Sequence, residues 1–270
     1  MRAVLRAITI VTALALLTGP AAAQSAKPLK RCPADSVAAG TVCIDTYEAS
    51  VWYIPSGGSN ASLVRRVKSG KVSLADLVAG QASQVGVVGN VPFPCAANAQ
   101  DCKDRIFAVS IPGVRPSAFG TWFQAQMACA NSGKRLPTNA EWQVAVVGTP
   151  DPGPDDGTND CNSDSVDNVV ETGSRGACVS AWGAHDMVGN VMEWVVDWMP
   201  RSTTCTGWGT FSDDYMCMAG ASTSAPGPSA LARGGGYYQI SNGVQAGPLT
   251  VWALDPPTTV TSTVGFRCVR

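Results

Sequence analysis

The chain has one histidine, His185, and its ten cysteines include no C-x-x-C pair. A lone imidazole excludes metal sites that need two or three of them, and the missing dithiol spacing argues against reactive or metal-binding thiols. There is no G-x-S-x-G elbow and no P-loop, and a Ser-His-Asp triad would have to use His185 without a supporting serine context. Only 14% of residues are charged, and long runs of like charge are missing. This argues against nucleic acid and anionic membranes as partners. No apolar run beyond the N-terminus could form an integral membrane segment, and no internal repeat is visible.

What the chain does contain begins with a leader. Arg2 and Arg6 precede an apolar run over 7–17 and then Ala21, Ala22 and Ala23. That layout predicts a secretory signal peptide over 1–23, and hence a secreted or periplasmic protein. An N-terminal tail is expected over 24–39 and one folded domain over 40–270. Losing Arg2 and Arg6 takes the formal charge from −1 to −3. The remaining chain, about 245 residues, can bury a sizeable core, and 28 glycines with 18 prolines imply many loops.

Ten cysteines downstream of a signal fit an oxidising compartment and disulfides. Their spacing suggests four local loops: Cys32 with Cys43, Cys95 with Cys102, Cys161 with Cys178, and Cys205 with Cys217. Cys129 and Cys268 are left for each other.

Regular structure reads as sparse. Residues 43–54 have the β-branched and aromatic content of a strand. Residues 56–98 show little periodicity and read as an extended insertion or mobile loop, with a short helix around 74–78. Helical spacing of Trp122, Gln126 and Cys129 predicts a helix over 116–132, with Gly133 as its stop. Thr138 and Glu141, three apart, predict a capping box and a second helix. Residues 148–180 read as a polar loop, and short strands are expected at 231–238 and 265–269. This is an α+β pattern.

The stretch over 182–197, W-G-A-H-D-M-V-G-N-V-M-E-W-V-V-D, concentrates hard oxygen donors around a glycine. It reads equally well as a metal-bound turn or as a polar turn entering a strand. Four segments then line up in order: G-K-R-L-P-T-N-A-E-W (133–142), G-A-H-D-M-V-G-N-V-M-E-W (183–194), R-G-G-G-Y (233–237) and G-F-R-C-V-R (265–270). Together they resemble the formylglycine-generating enzyme, or sulfatase-modifying factor, family.

The resemblance implies a C-type-lectin-like variant of the α+β class with little regular secondary structure. It implies a structural Ca2+ bound by the side chains of Asp186 and Glu193 and the backbone oxygens of Gly189 and Val191, which leaves Asn190 as a turn residue. The family's second calcium site has only Asn162 as a remnant here. The family also pairs the cysteines corresponding to Cys129 and Cys268, in agreement with the spacing argument.

Its oxidase chemistry is another matter. The copper(I)-binding cysteines expected after the R-G-G motif fall at Gln239 and Val244. An amide is a hard neutral donor and valine has none, so neither replaces a thiolate. The lone His185 likewise cannot supply the histidine cluster of the family's iron branch. No copper or iron is therefore expected. The predicted function is a binding or structural module whose former groove, with Tyr237, Tyr238, Gln239, Val244 and Trp252, takes a peptide or glycan. The rival is an enzyme using the scaffold for other chemistry, such as maturation of an exported peptide or secondary metabolite.

Overall fold

The computed structural model describes residues 31–56, 60–87, 92–151, 155–164, 168–224, 227–238 and 246–270. The predicted signal peptide, Gln239 and Val244 lie outside these residues. In chain order the elements are β1 (Ser36–Ala39), β2 (Val42–Asp45), β3 (Ser50–Tyr53), α1 (Asn60–Lys68), α2 (Leu74–Ala79), β4 (Ser83–Val85), β5 (Ile106–Val109), α3 (Trp122–Asn131) and α4 (Asn139–Ala145). They continue with β6 (Met192–Pro200), β7 (Thr204–Gly207), β8 (Tyr215–Ala219), β9 (Pro228–Arg233), β10 (Val251–Trp252) and β11 (Val264–Phe266). The fold is α+β with little regular structure, braced by five disulfides.

Among the described residues three sheets form: β1-β2, β4-β3-β5, and a six-stranded sheet in the order β11-β6-β9-β10-β8-β7. The large sheet separates two cores by the two-residue alternation of strand side chains. Met192 and Trp194 of β6, with Ala230 and Ala232 of β9, face the core that contains Cys129 and Leu136. Val195 and Leu231 face the other core, which Trp142, Ala145 and Val146 fill from the α4 side. Glu193, between Met192 and Trp194, is thereby aimed towards Trp142. It is this alternation that puts a carboxylate inside the protein.

The helices α2, α3 and α4 begin where side-chain caps satisfy their first backbone N–H groups. At α4, Thr138 Oγ1 accepts from the Glu141 N–H at 3.1 Å while Glu141 accepts from the Thr138 N–H at 2.8 Å, as the capping box predicted. Thr138→Ala is expected to cost about 1 kcal/mol, read as a lower midpoint in urea unfolding. The helix predicted over 116–132 begins only at Trp122, because Thr121 and Gln124 form a second capping box there. Residues 43–54 are two strands, not one. β2 pairs with β1, β3 pairs with β4 and β5, and the chain turns between them.

The expected extended insertion over 56–98 is instead partly regular, with α1, α2 and β4. Leu63, Val67 and Leu77 bury against Phe107 and Val109 in a third cluster, which offsets the entropy of ordering this segment. The strand expected over 231–238 stops at Arg233, since Gly234 and Gly235 take positive φ angles of 85° and 75°. A Cβ at Gly234 would also stand 2.6 Å from the Met187 carbonyl oxygen. The R-G-G-G run is therefore a tight turn against the 182–197 segment.

The pairs Cys32–Cys43, Cys95–Cys102, Cys129–Cys268, Cys161–Cys178 and Cys205–Cys217 are all formed, and no described cysteine is free. Among the described residues no helix is long and apolar enough to cross a membrane.

Candidate metal-binding turn and the groove beside it

The turn before β6 is built on left-handed backbone at Asp186 (φ 56°), Gly189 (φ 75°) and Asn190 (φ 54°). A side chain at Gly189 would collide with the Asn162 carbonyl oxygen. Asn190 acts as a turn residue that ties distant segments together. Its Nδ2 donates to Glu48 Oε2 at 2.6 Å, and its Oδ1 accepts from Val170 N at 2.9 Å and Asn162 Nδ2 at 3.1 Å. The Oδ1 of Asn162 is buried with no partner among the described residues.

Below the turn lies a buried ionic cluster centred on Arg267. Its Nε donates to both Glu193 oxygens at 2.8 Å and its Nη2 to Oε1 at 2.6 Å. The remaining guanidinium donors reach the carbonyls of Asp45 (3.1 Å), His185 (2.8 Å) and Asp186 (3.3 Å). Trp142 Nε1 closes the other side of Glu193, donating to Oε2 at 2.7 Å. Arg233 then stacks over the Trp142 ring at 4.5 Å and binds Asn139, Gln143, Thr250 and Pro248. Through these contacts the G-K-R-L-P, G-N-x-x-E-W, R-G-G and G-F-R-C segments become one network.

Carboxyl groups outnumber cations in this cluster. Glu48, Asp186 and Glu193 are all buried, and among the described residues Arg267 is the cation bonded within it, with buried Arg175 also acting on Asp186. Burial, then the nearby Asp186 and Glu193, holds the Glu48 carboxyl well above its usual range. Burial likewise pushes Asp186 up to about 6, against the Gly173 N–H bond that favours its charged form. Burial opposes the charge on Arg267, but Glu193, followed by Glu48 and Asp186, raises its pKa nonetheless. All-oxygen donors suit a hard divalent cation. The residues present fit calcium in donor type, while both Glu193 oxygens already accept hydrogen bonds from Arg267 and Trp142.

His185 stacks on Tyr47 at a centroid distance of 5.0 Å, and its Nδ1 is buried without a partner among the described residues. Burial, then Arg267, holds its pKa below the usual imidazole value, so it is neutral at pH 7. It sits beside the turn as a packed ring.

The predicted groove residues are only partly brought together. Tyr237 and Tyr238 meet edge to face at 5.4 Å, half-buried, and Tyr237 N donates to the Asn190 carbonyl at 2.9 Å. Tyr237 is thus joined directly to the candidate metal turn. Trp252 belongs elsewhere. It packs against the core beneath α3 and donates from Nε1 to Asp255 Oδ2 at 2.5 Å.

The family model for the sulfatase-modifying factor enzyme 1-like domain matches residues 96–270. The chain belongs to this family. Among curated relatives it is 30% identical over 159 residues to a serine/threonine-protein kinase pkn1 of Chlamydia caviae, covering 56% of this chain and 23% of the kinase. It is 31% identical over 140 residues to a hercynine oxygenase of Mycolicibacterium smegmatis, covering 43% of this chain and 32% of that enzyme. The chain thus spans a third or less of the length of these relatives. Among solved structures, a Major Tropism Determinant P3c variant aligns with a TM-score of 0.46 at 16% identity, over 88% of this chain and 52% of that one. CarF aligns with a TM-score of 0.43 at 17% identity, over 85% of each chain.

Two members of the Arg267 cluster carry sequence signals that the motifs alone did not use. Glu48 stands just ahead of the apolar A-S-V-W-Y-I run, and Arg267 lies inside the G-F-R-C motif itself. A charge beside an apolar strand that becomes buried requires a partner, and each of these two is part of the other's environment.

Proposed function

We propose that this chain is an exported sulfatase-modifying-factor-type domain that works as a binding or structural module, without the family's oxidase chemistry. The observation that carries this reading is the state of the cysteines. All ten are consumed in disulfides, while the positions expected to hold copper(I) thiolates are Gln239 and Val244. A disulfide sulfur is not a thiolate, and copper(I) requires soft anionic sulfur. Five disulfides also favour an oxidising compartment, in keeping with the leader over 1–23.

The domain in this reading spans 40–270, and the end of the expected N-terminal tail joins it, since β1 pairs with β2 and Cys32 is bridged to Cys43. The segment before residue 96 supports that extent, because β3 pairs with β5 and Cys43 N donates to the Arg270 carbonyl at 3.1 Å. Asp186 and Glu193, with the backbone oxygens of Gly189 and Val191, would hold a structural calcium. Bound there, calcium supplies charge neutralisation and cross-links the turn to β6. Tyr237 and Tyr238 offer flat, amphipathic area for a peptide or glycan.

The test is oxygen-dependent aldehyde formation on a C-x-P-x-R peptide, with copper and iron supplied to the purified protein. The expected result is no aldehyde. Turnover would replace this reading with that of an enzyme on the same scaffold.

A further inference from the structure

Away from the Arg267 cluster, three aspartates from two segments distant in sequence converge. Asp151 follows α4, and Asp213 and Asp214 lie in the loop between β7 and β8. One carboxylate oxygen from each lies within 4.8 Å of the other two. Asp213 and Asp151 are exposed, but Asp214 is only 1% exposed.

The buried member is incompletely satisfied. Leu249 N donates to Asp214 Oδ2 at 2.7 Å, and the Asp214 N–H is tied to Ser212 Oγ at 3.1 Å. Its Oδ1 is buried with no hydrogen-bond partner among the described residues. The side chain has little room to turn away, because Gly247 packs so closely that a Cβ there would collide with Oδ1. A buried carboxylate oxygen without a donor is costly. No ion pair among the described residues relieves it. Arg233 is the cation whose charge it feels, and the Arg233 donors go to Asn139, Gln143, Thr250 and Pro248.

We infer that Asp151, Asp213 and Asp214 form a binding site for a hard divalent cation such as calcium, separate from the Asp186–Glu193 turn. Three carboxylates are hard donors that select calcium, magnesium or manganese over soft metals. Oxygens that share one calcium ion at about 2.4 Å each lie no more than about 4.8 Å apart, and the three carboxylates meet that limit. Partial burial, then the charges of Asp214 and Asp213, pushes Asp151 up to about 6, a strain that a cation between them removes. The ion would clamp the β7–β8 arm, closed by Cys205–Cys217, to the chain leaving α4.

The test is calorimetric titration of calcium into the full-length mature protein and into the double variant Asp151→Asn/Asp213→Asn. Both substituted side chains are exposed, and the five disulfides, counted by mass spectrometry, verify the fold. Few carboxylates and an open site predict a dissociation constant of about 0.1 to 1 mM, as in extracellular calcium modules. The double variant should lose one equivalent of calcium, or bind it at least about tenfold more weakly. Any equivalent that survives in the variant belongs to the Asp186–Glu193 turn, so the two sites are judged independently. Equal stoichiometry and affinity in the two proteins would overturn the inference, as would a wild-type protein that binds no calcium.

Discussion

Replacing Arg267 by methionine is expected to destabilise the domain by about 3 to 5 kcal/mol in calcium-free buffer. The side chain is fully buried and is the cation that Glu193 grips with both oxygens. Methionine fills similar volume, so the loss is electrostatic and not a cavity effect. It leaves Glu193 without its bonded counter-charge, removes the Arg267 charge that acts on Glu48 and Asp186, and strips donors from the carbonyls of Asp45, His185 and Asp186. Arg267→Lys should recover only part of the loss, because an ammonium cannot span both carboxylate oxygens and three carbonyls in one plane. Urea unfolding of the three proteins, with disulfides kept oxidised, checks this. Methionine within 1 kcal/mol of wild type would show that the cluster is not held by its guanidinium.

Loss of the Cys129–Cys268 bridge should be the most damaging of the five disulfide deletions. It closes a separation of 139 residues, and the chain-entropy model assigns such a loop about 5 kcal/mol. The Cys95–Cys102 bridge closes only 7 residues and is worth about 2 kcal/mol on the same model. The long bridge also joins α3 to the segment after β11, next to Arg267, so its removal loosens the same cluster. Paired Cys→Ala variants of each bridge, compared by thermal unfolding, should show the larger loss for Cys129→Ala/Cys268→Ala. Equal losses would mean that native contacts already fix both ends.

The parts of this structure visible in the sequence are those encoded locally. The Thr138–Glu141 capping box, the short helix at α2 and the four short cysteine loops each depend on residues close together in the chain. The family's four motifs extended that reach, since they identified the Cys129–Cys268 pair and the turn containing Asp186. What escaped notice depends on tertiary neighbours. The α1 segment does carry a helical signature, with Leu63 and Val67 four apart and Arg65, Arg66 and Lys68 in its last turn. It is short, however, its flanks are rich in Gly and Ser, and burying Leu63 and Val67 against β5 holds it. The role of Glu193 is set by strand alternation that turns it towards Trp142, and by Arg267 arriving from a distant strand. Trp252 was placed in the groove by proximity in sequence, but the β10 register with Ala232 and Cys217 directs it to the core. The aspartate triad joins residues on both sides of the candidate turn, and no local pattern announces it.

The domain has the family's architecture, and in the proposed reading it holds hard cations in place of a redox centre. The most direct measurement is the metal content of the protein purified from its oxidising compartment without chelator, by elemental mass spectrometry. The account predicts calcium, with copper and iron well below one equivalent. Stoichiometric copper or iron, held by a chain whose cysteines are all disulfide-bonded, would contradict it.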